Sequence, residues 1–210
     1  MNDSNTPRKK TIGALLFPEF ELLDIFGPLE MFGVLGDDFE IVTIAETTEP
    51  VASAQGPRSV IDRCFDDATE VDVLLVPGGR GTRVEVENPQ LLDYLRTLYP
   101  RLDYLASICT GSGLLAAAGL LDGRSATSNK RSFAWARNCS DQVTWIAQAR
   151  WVEDGNIFTA GGVAAGIDMA LALIGKILDV ETATAVAEGT EYEWHRDAGW
   201  DPFAAKAGLV

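Results

Sequence analysis

Apolar positions in this chain cluster in short runs broken by polar, glycine and proline residues, and the spacing within each run assigns it to a strand or a helix. Thr11 to Phe17 reads as a buried strand ended by Pro18, and Leu22 to Leu35 has helical character. Phe39 to Ala45 reads as a second strand, and Arg58 to Cys64 alternates weakly, as a short strand would. Val71 to Val76 is continuously apolar, the pattern of a strand covered on both faces, and stops at Pro77-Gly78-Gly79. Pro89 to Tyr99 predicts a helix with proline in its first turn. Asp103 to Ile108 predicts a strand, and Leu114 to Leu121 a helix closed by Asp122-Gly123. Ser125 to Ser128 predicts a short strand and Lys130 to Arg137 a helix. Arg150 to Val152 and Ile157 to Ala160 flank Asp154-Gly155, a hairpin signal. Val163 to Leu178 is a long apolar helix, and Glu181 to Glu191 predicts another.

Strands therefore alternate with helices, which argues for an α/β fold with a mostly parallel sheet and helices on both faces. In such sheets ligands gather at the carboxyl ends of the strands. The loop after Phe17, the loop after Val76 and the corner at Cys109 then share one edge. With 210 residues, 47% of them hydrophobic, the chain can build a sizeable core. It has no proline- or serine-rich linker and no repeat. A disordered polar tail over residues 1–10 and a single domain over 11–210, with a C-terminal helical tail, are expected.

Charge narrows the partners. A formal net charge of -14 disfavours nucleic acid and anionic membranes. The first ten residues lack the apolar core of a signal peptide, and no segment reaches the roughly 20 apolar residues of a membrane span. Three widely spaced cysteines, Cys64, Cys109 and Cys139, suit a reducing cytoplasm better than a disulfide framework. Without metal-type spacing, and with His195 the single histidine, no zinc site and no cofactor are expected.

Cys109 carries the sharpest chemical signal. It closes the strand ending Ser107-Ile108 and opens Thr110-Gly111-Ser112-Gly113, which leads into a helix. A side chain on such a corner stands over the sheet edge near unpaired helix N–H groups, which lower a thiol pKa. A buried core cysteine is the plain alternative. Thr110 either donates a hydrogen bond into the site or caps the helix. Asp24, framed by Leu22, Leu23, Ile25 and Phe26, is the candidate proton carrier, with Glu21 one turn earlier as its rival. A helix cap or a solvated carboxylate explains Asp24 equally well. Gly78 and Gly79 either offer N–H groups to a developing negative charge or make a tight turn. Gly161-Gly162, ahead of a helix, invites an anion-binding reading or close backbone packing. His195 sits among Glu193, Trp194 and Arg196, as a surface residue would, so a Cys-His triad is disfavoured. Cys64 and Cys139 lack comparable context. Tyr192, Trp194 and Trp200 either line a pocket or pack the tail onto the domain or a partner subunit.

Taken together, Leu15-Leu16-Phe17-Pro18, Asp24-Ile25-Phe26-Gly27-Pro28, Val76-Pro77-Gly78-Gly79, Ser107-Ile108-Cys109-Thr110-Gly111-Ser112 and Ala160-Gly161-Gly162 resemble the ThiJ/PfpI superfamily. The resemblance runs from about Thr11 to Leu178 and implies a flavodoxin-like, class I glutamine-amidotransferase-like fold with a nucleophile elbow. Within it, the Phe-Pro segment leading to an aspartate and the Cys-Thr-Gly elbow look most like the isocyanide hydratase branch. That likeness implies Cys109 as nucleophile, Asp24 as general acid and base, and Thr110 as a supporting hydrogen bond. Hydratase-like relatives carry a histidine where this chain has Ser128-Asn129-Lys130, and Asn129, Gly162 and Val163 are the expected pocket positions. The implied reaction is hydration of an isocyanide to an N-substituted formamide. Glyoxalase-like chemistry on a 2-oxoaldehyde and a cysteine redox or small-molecule sensor are the alternatives. A small-molecule substrate and a homodimer are implied as partners, with Phe26, Leu29 and Phe32 fitting either an interface or a core helix.

Overall fold

A computed structural model describes residues 8–68 and 70–210. Of the tail expected over residues 1–10, residues 1–7 lie outside the described residues. Residues 8–10 are tied down: Arg8 pairs with Asp72, and Lys10 begins the first strand.

Chain order sets out the strands β1 (Lys10–Leu15), β2 (Phe39–Ala45), β3 (Val51–Ala52), β4 (Arg58–Ser59), β5 (Arg63–Cys64) and β6 (Val73–Val76). They continue as β7 (Tyr104–Ile108), β8 (Ser125–Ala126), β9 (Thr144–Trp145), β10 (Trp151–Asp154) and β11 (Ile157–Ala160). Seven of them form one sheet in the order β10-β11-β7-β6-β1-β2-β5. Every neighbouring pair in it is parallel except β10 with β11, the hairpin turning at Gly155. All four residues of β6 and of β11 are buried, so both sheet faces are covered.

The helices are α1 (Leu22–Gly33), α2 (Thr82–Glu85), α3 (Pro89–Leu98), α4 (Gly111–Ala117), α5 (Phe133–Arg137), α6 (Ala165–Ile177), α7 (Val180–Gly189) and α8 (Phe203–Lys206). α6 packs against both α1 and α7, whereas α4 gathers α2, α3 and α5. In α3 the sequence logic is plain. Asn88 accepts from the N–H groups of Gln90 and Leu91, Pro89 occupies the first turn, and Leu91, Tyr94, Leu95 and Leu98 make one buried stripe. In α1, Leu29 and Phe32 belong to the core, the second of the two alternatives their pattern allowed. Leu23 and Phe26 are the exposed apolar pair, at 43% and 42%.

The C-terminal segment is locked down by buried ions. Asp168, on the first turn of α6, accepts from Arg150 Nε at 2.5 Å and from the His195 N–H at 2.9 Å. Its backbone carbonyl accepts from Trp194 Nε1. Lys130 Nζ lies 3.1 Å from Asp201 Oδ2, both groups buried. Removing one member of such a pair strands the other charge in low dielectric. Asp168→Ala is therefore expected to cost about 3–5 kcal/mol, read as a lowered midpoint in urea unfolding.

Candidate active site

The strand order places the carboxyl ends of β7, β6 and β1 side by side, and each contributes one part of the site. β7 delivers Cys109, whose φ of 58° lies in the left-handed region that a side chain rarely occupies. The strain is held by neighbours. The Cys109 N–H donates to the Ala160 carbonyl at 3.1 Å, and its carbonyl accepts from Ser112 Oγ at 3.2 Å and Ser128 Oγ at 3.0 Å. The following helix starts at Gly111, three residues earlier than its apolar run suggests, because the small residues there let the first turn sit against the end of β6. Such a corner is the strained strand-to-helix turn that lifts a nucleophile above the sheet.

From the end of β1, the Phe17-Pro18 loop leads into α1 and its first-turn Asp24. This carboxyl is fully buried. Asp24 Oδ2 accepts from the Gly78 N–H, after β6, at 2.9 Å, so the side chain reaches across the sheet edge and does not cap its own helix. Asp24 Oδ1 is buried without a hydrogen bond of ordinary geometry. Burial pushes the Asp24 pKa up to about 8, against the pull of the Gly78 N–H, and the charge of Glu21 adds to the rise. The nearby Cys109 thiol draws it back in part. Glu21, the rival carboxylate, takes the N-cap position half-buried, and its Oε1 accepts from Gln55 Nε2 at 2.7 Å.

Gly78 and Gly79 do not present free N–H groups, contrary to the oxyanion reading. Gly78 holds Asp24, and the Gly79 N–H donates to Thr110 Oγ1 at 3.1 Å. Thr110 forms no side-chain cap on α4. Its Oγ1 lies 3.1 Å from Thr82 Oγ1 and 3.4 Å from the Gly79 carbonyl, which also accepts from Thr82 Oγ1 at 2.8 Å. The Thr110 N–H and hydroxyl also act on the sulfur, lowering the Cys109 pKa. Thr82, Ser112 and Ser128 carry no sequence signal for this work. Ser112 and Thr82 bond back to carbonyls three residues earlier, whereas Ser128 reaches Cys109 from a separate segment.

The glycines are required by space. A Cβ on Gly78 would sit 2.5 Å from the Thr110 nitrogen and 2.9 Å from Cys109 Cβ. Gly79 has φ 123°, and a Cβ there would strike the Glu19 carbonyl oxygen. Gly79→Ala is expected to destabilise by roughly 2–4 kcal/mol and to lower activity with it, read by thermal unfolding and turnover together.

Electrostatics corrects one expectation. Cys109 is 7% exposed. Burial, and then the Asp24 charge, raise its pKa well above the ordinary thiol range and outweigh Thr110. The resting pair at neutral pH is thus a thiol beside a mostly protonated carboxyl.

Other positions fall nearby or elsewhere. Asn129, Gly162 and Val163 line one cavity of about 420 Å³, which His195 and Trp200 also line. Asn129 Oδ1 accepts from the N–H groups of Arg131 and Ser132. His195 is half-buried and stacked on Trp200, where a surface position was expected. Cys64 and Cys139 are half-buried and free. No cluster of His, Cys, Asp or Glu among the described residues has the arrangement to hold a metal ion, and no helix among them is long and apolar enough to cross a membrane.

A mostly parallel sheet whose elbow cysteine faces an aspartate from the first helix defines the class, and residues 10–176 match the DJ-1/PfpI family. The chain belongs to that family. It is 38% identical over 185 residues to an isonitrile hydratase of Pseudomonas putida, covering 86% of this chain and 78% of that protein. It is 29% identical over 139 residues to a deglycase of Thermococcus kodakarensis, covering 65% of this chain and 81% of the relative. The crystal structure of a ThiJ/PfpI family protein from Pseudomonas syringae superposes with a TM-score of 0.82 at 28% identity, over 98% of this chain and 88% of the other.

Proposed function

We propose that this protein adds water to an isocyanide to give an N-substituted formamide, with Cys109 as nucleophile and Asp24 as proton carrier. The observation that carries the reading is the buried Asp24 carboxyl, protonated up to about pH 8, which interacts with the Cys109 thiol and keeps Oδ1 without a hydrogen bond of ordinary geometry. An isocyanide is neutral, and its terminal carbon must gain a proton as well as a nucleophile. A thiol next to a protonated acid supplies both at neutral pH.

The atoms balance as follows. Sulfur bonds to the terminal carbon while Asp24 gives that carbon a proton and takes the S–H proton in exchange, leaving a thioimidate. Water then adds to the same carbon, its proton passing through Asp24 to nitrogen. The hydroxyl proton of the resulting adduct returns through Asp24 to sulfur as the C–S bond breaks, releasing formamide and thiol. Asp24 ends each step protonated. The Thr110 N–H and hydroxyl stabilise negative charge on sulfur as it develops.

The likeness to an isonitrile hydratase over most of both chains supports the substrate class. The deglycase relative supports a rival, carbonyl chemistry with the same thiol and carboxyl. A peroxide sensor is disfavoured, because the thiolate is the form that oxidises and burial suppresses it here. We further infer a homodimer using Leu23 and Phe26, the exposed apolar pair flanking Asp24 on α1. Free cysteines suit a reducing compartment such as the cytoplasm.

The test is a parallel assay with cyclohexyl isocyanide and methylglyoxal, products identified by mass spectrometry. N-cyclohexylformamide is expected, without lactate. Lactate alone would transfer the site to glyoxalase-like chemistry, and neither product would end the enzymatic reading.

A further inference from the structure

A cation is built into the hydrogen-bond network behind Thr110. Arg83, in α2, donates from Nη1 to Thr82 Oγ1 at 2.8 Å and to the Gly79 carbonyl at 3.3 Å, and from Nη2 to Ser132 Oγ at 2.9 Å. Its guanidinium lies over the Trp135 ring, 4.1 Å from the centroid. Trp135 is itself seated against α4, the helix that follows Cys109, where a Cβ on Gly113 would come within 2.5 Å of the ring. An arginine that merely solvates the surface keeps its rotamer freedom. Arg83 is exposed, yet contacts from two segments fix it, and none of the ion pairs among the described residues includes it.

What this cation does follows from its donors. A guanidinium only donates, so Thr82 Oγ1 accepts from it. A hydroxyl that accepts from a cation becomes a stronger donor and a poorer acceptor for any other neighbour. The Thr82 hydrogen has two outlets, the Gly79 carbonyl at 2.8 Å and Thr110 Oγ1 at 3.1 Å. Thr110 Oγ1 already accepts from the Gly79 N–H. For its own hydrogen, Thr110 meets a weakened acceptor in Thr82, and at 3.4 Å a Gly79 carbonyl already engaged by Thr82 and Arg83. The Cys109 sulfur, which also interacts with the Thr110 hydroxyl, is the acceptor left without a competitor. Water screens the exposed guanidinium across space, so its influence on sulfur runs through these hydrogen bonds.

We propose that Arg83 is a positioning residue for the nucleophile: acting through Thr82, it turns the Thr110 hydroxyl toward Cys109 and steadies negative charge on the sulfur as it forms. The inference rests on Cys109 as nucleophile, the part of the proposed function that the isocyanide and carbonyl readings share.

The experiment follows alkylation of Cys109 by iodoacetamide at pH 9, read by peptide mass spectrometry, in the wild type, Arg83→Met, Arg83→Lys, Thr82→Val and the double variant carrying Thr82→Val and Arg83→Met. The thiolate is the reacting form; the C–S bond forms as iodide leaves, and the thiol proton goes to buffer. Arg83→Met is expected to slow Cys109 about tenfold. Arg83→Lys should fall between it and the wild type, because lysine keeps a charged donor but not the planar fork. In the Thr82→Val background Arg83→Met should have little further effect, since its route to sulfur is already cut. Cys64 serves as the internal reference and should keep one rate throughout. A purely structural role predicts the reverse, a looser shell and faster alkylation. An unchanged or faster Cys109 in Arg83→Met, or the same slowing in both backgrounds, overturns the inference and leaves the nucleophile in place. A wild-type Cys109 that does not alkylate overturns the nucleophile reading and this inference together. A wild type that alkylates but hydrates no isocyanide ends the hydratase reading alone, and the rates above still decide the role of Arg83.

Discussion

Cys109→Ser is expected to stop turnover while leaving the protein folded. Serine fits the same elbow, keeps the side-chain volume close to that of cysteine, and leaves the hydrogen bonds from Ser112 and Ser128 to the residue 109 carbonyl intact. It replaces a polarisable sulfur by a hydroxyl that is a far weaker nucleophile without a dedicated base. Asp24, protonated to about pH 8, is a poor base for a hydroxyl. The loss in kcat/KM should be at least about 1,000-fold, with the thermal midpoint within a few degrees of wild type. Both the isocyanide and the carbonyl reading require this result. A serine variant retaining a tenth of wild-type activity would remove sulfur from the reaction and leave direct hydration by Asp24. Mass spectrometry of quenched wild type adds a direct check, since the thioimidate adds the mass of one substrate to the peptide carrying Cys109.

What the sequence made legible follows the range of the forces involved. The β–α alternation is local, and strand Phe39–Ala45 appears with the expected boundaries. The convergence of Asp24, Gly78 and Cys109 was also legible, because a parallel sheet brings the carboxyl ends of its strands to one edge. Short strands such as β3 and β9 left no signal, since two residues carry no periodicity and are strands only through a partner elsewhere. The sign of the Cys109 pKa shift was misjudged for a related reason. The N–H groups that favour thiolate are neighbours in sequence, whereas the enclosing shell and the Asp24 charge come from distant segments. The Gly78 and Gly79 donors illustrate the same gap, because the side chains that engage them belong to α1 and the Cys109 corner. Likewise, the Lys130–Asp201 and Arg150–Asp168 pairs that build the C-terminal cavity join residues with no local pattern.

Asp24→Asn should move activity and stability in opposite directions. Asparagine keeps an acceptor for the Gly78 N–H but carries no transferable proton, so turnover is expected to fall about 100- to 10,000-fold. Stability runs the other way. The folded Asp24 pKa of about 8 lies above its ordinary value of 3.8, so the native state retains a proton that the unfolded chain releases across that interval. Such a group favours the native state fully below pH 4, and its contribution is lost as pH rises through about 8. Keeping the buried acid in place of an ordinary one costs on the order of 4 kcal/mol by neutral pH. Asp24→Asn removes that cost. The variant should unfold at higher urea than wild type at pH 7, and the two midpoints should converge near pH 4. The wild-type kcat/KM, in turn, should hold level to about pH 7 and decline above pH 8 as Asp24 ionises. Equal urea midpoints at pH 7 would mean that Asp24 is already ionised in the folded protein, and the thiol would then have to be its own source of the proton delivered to carbon.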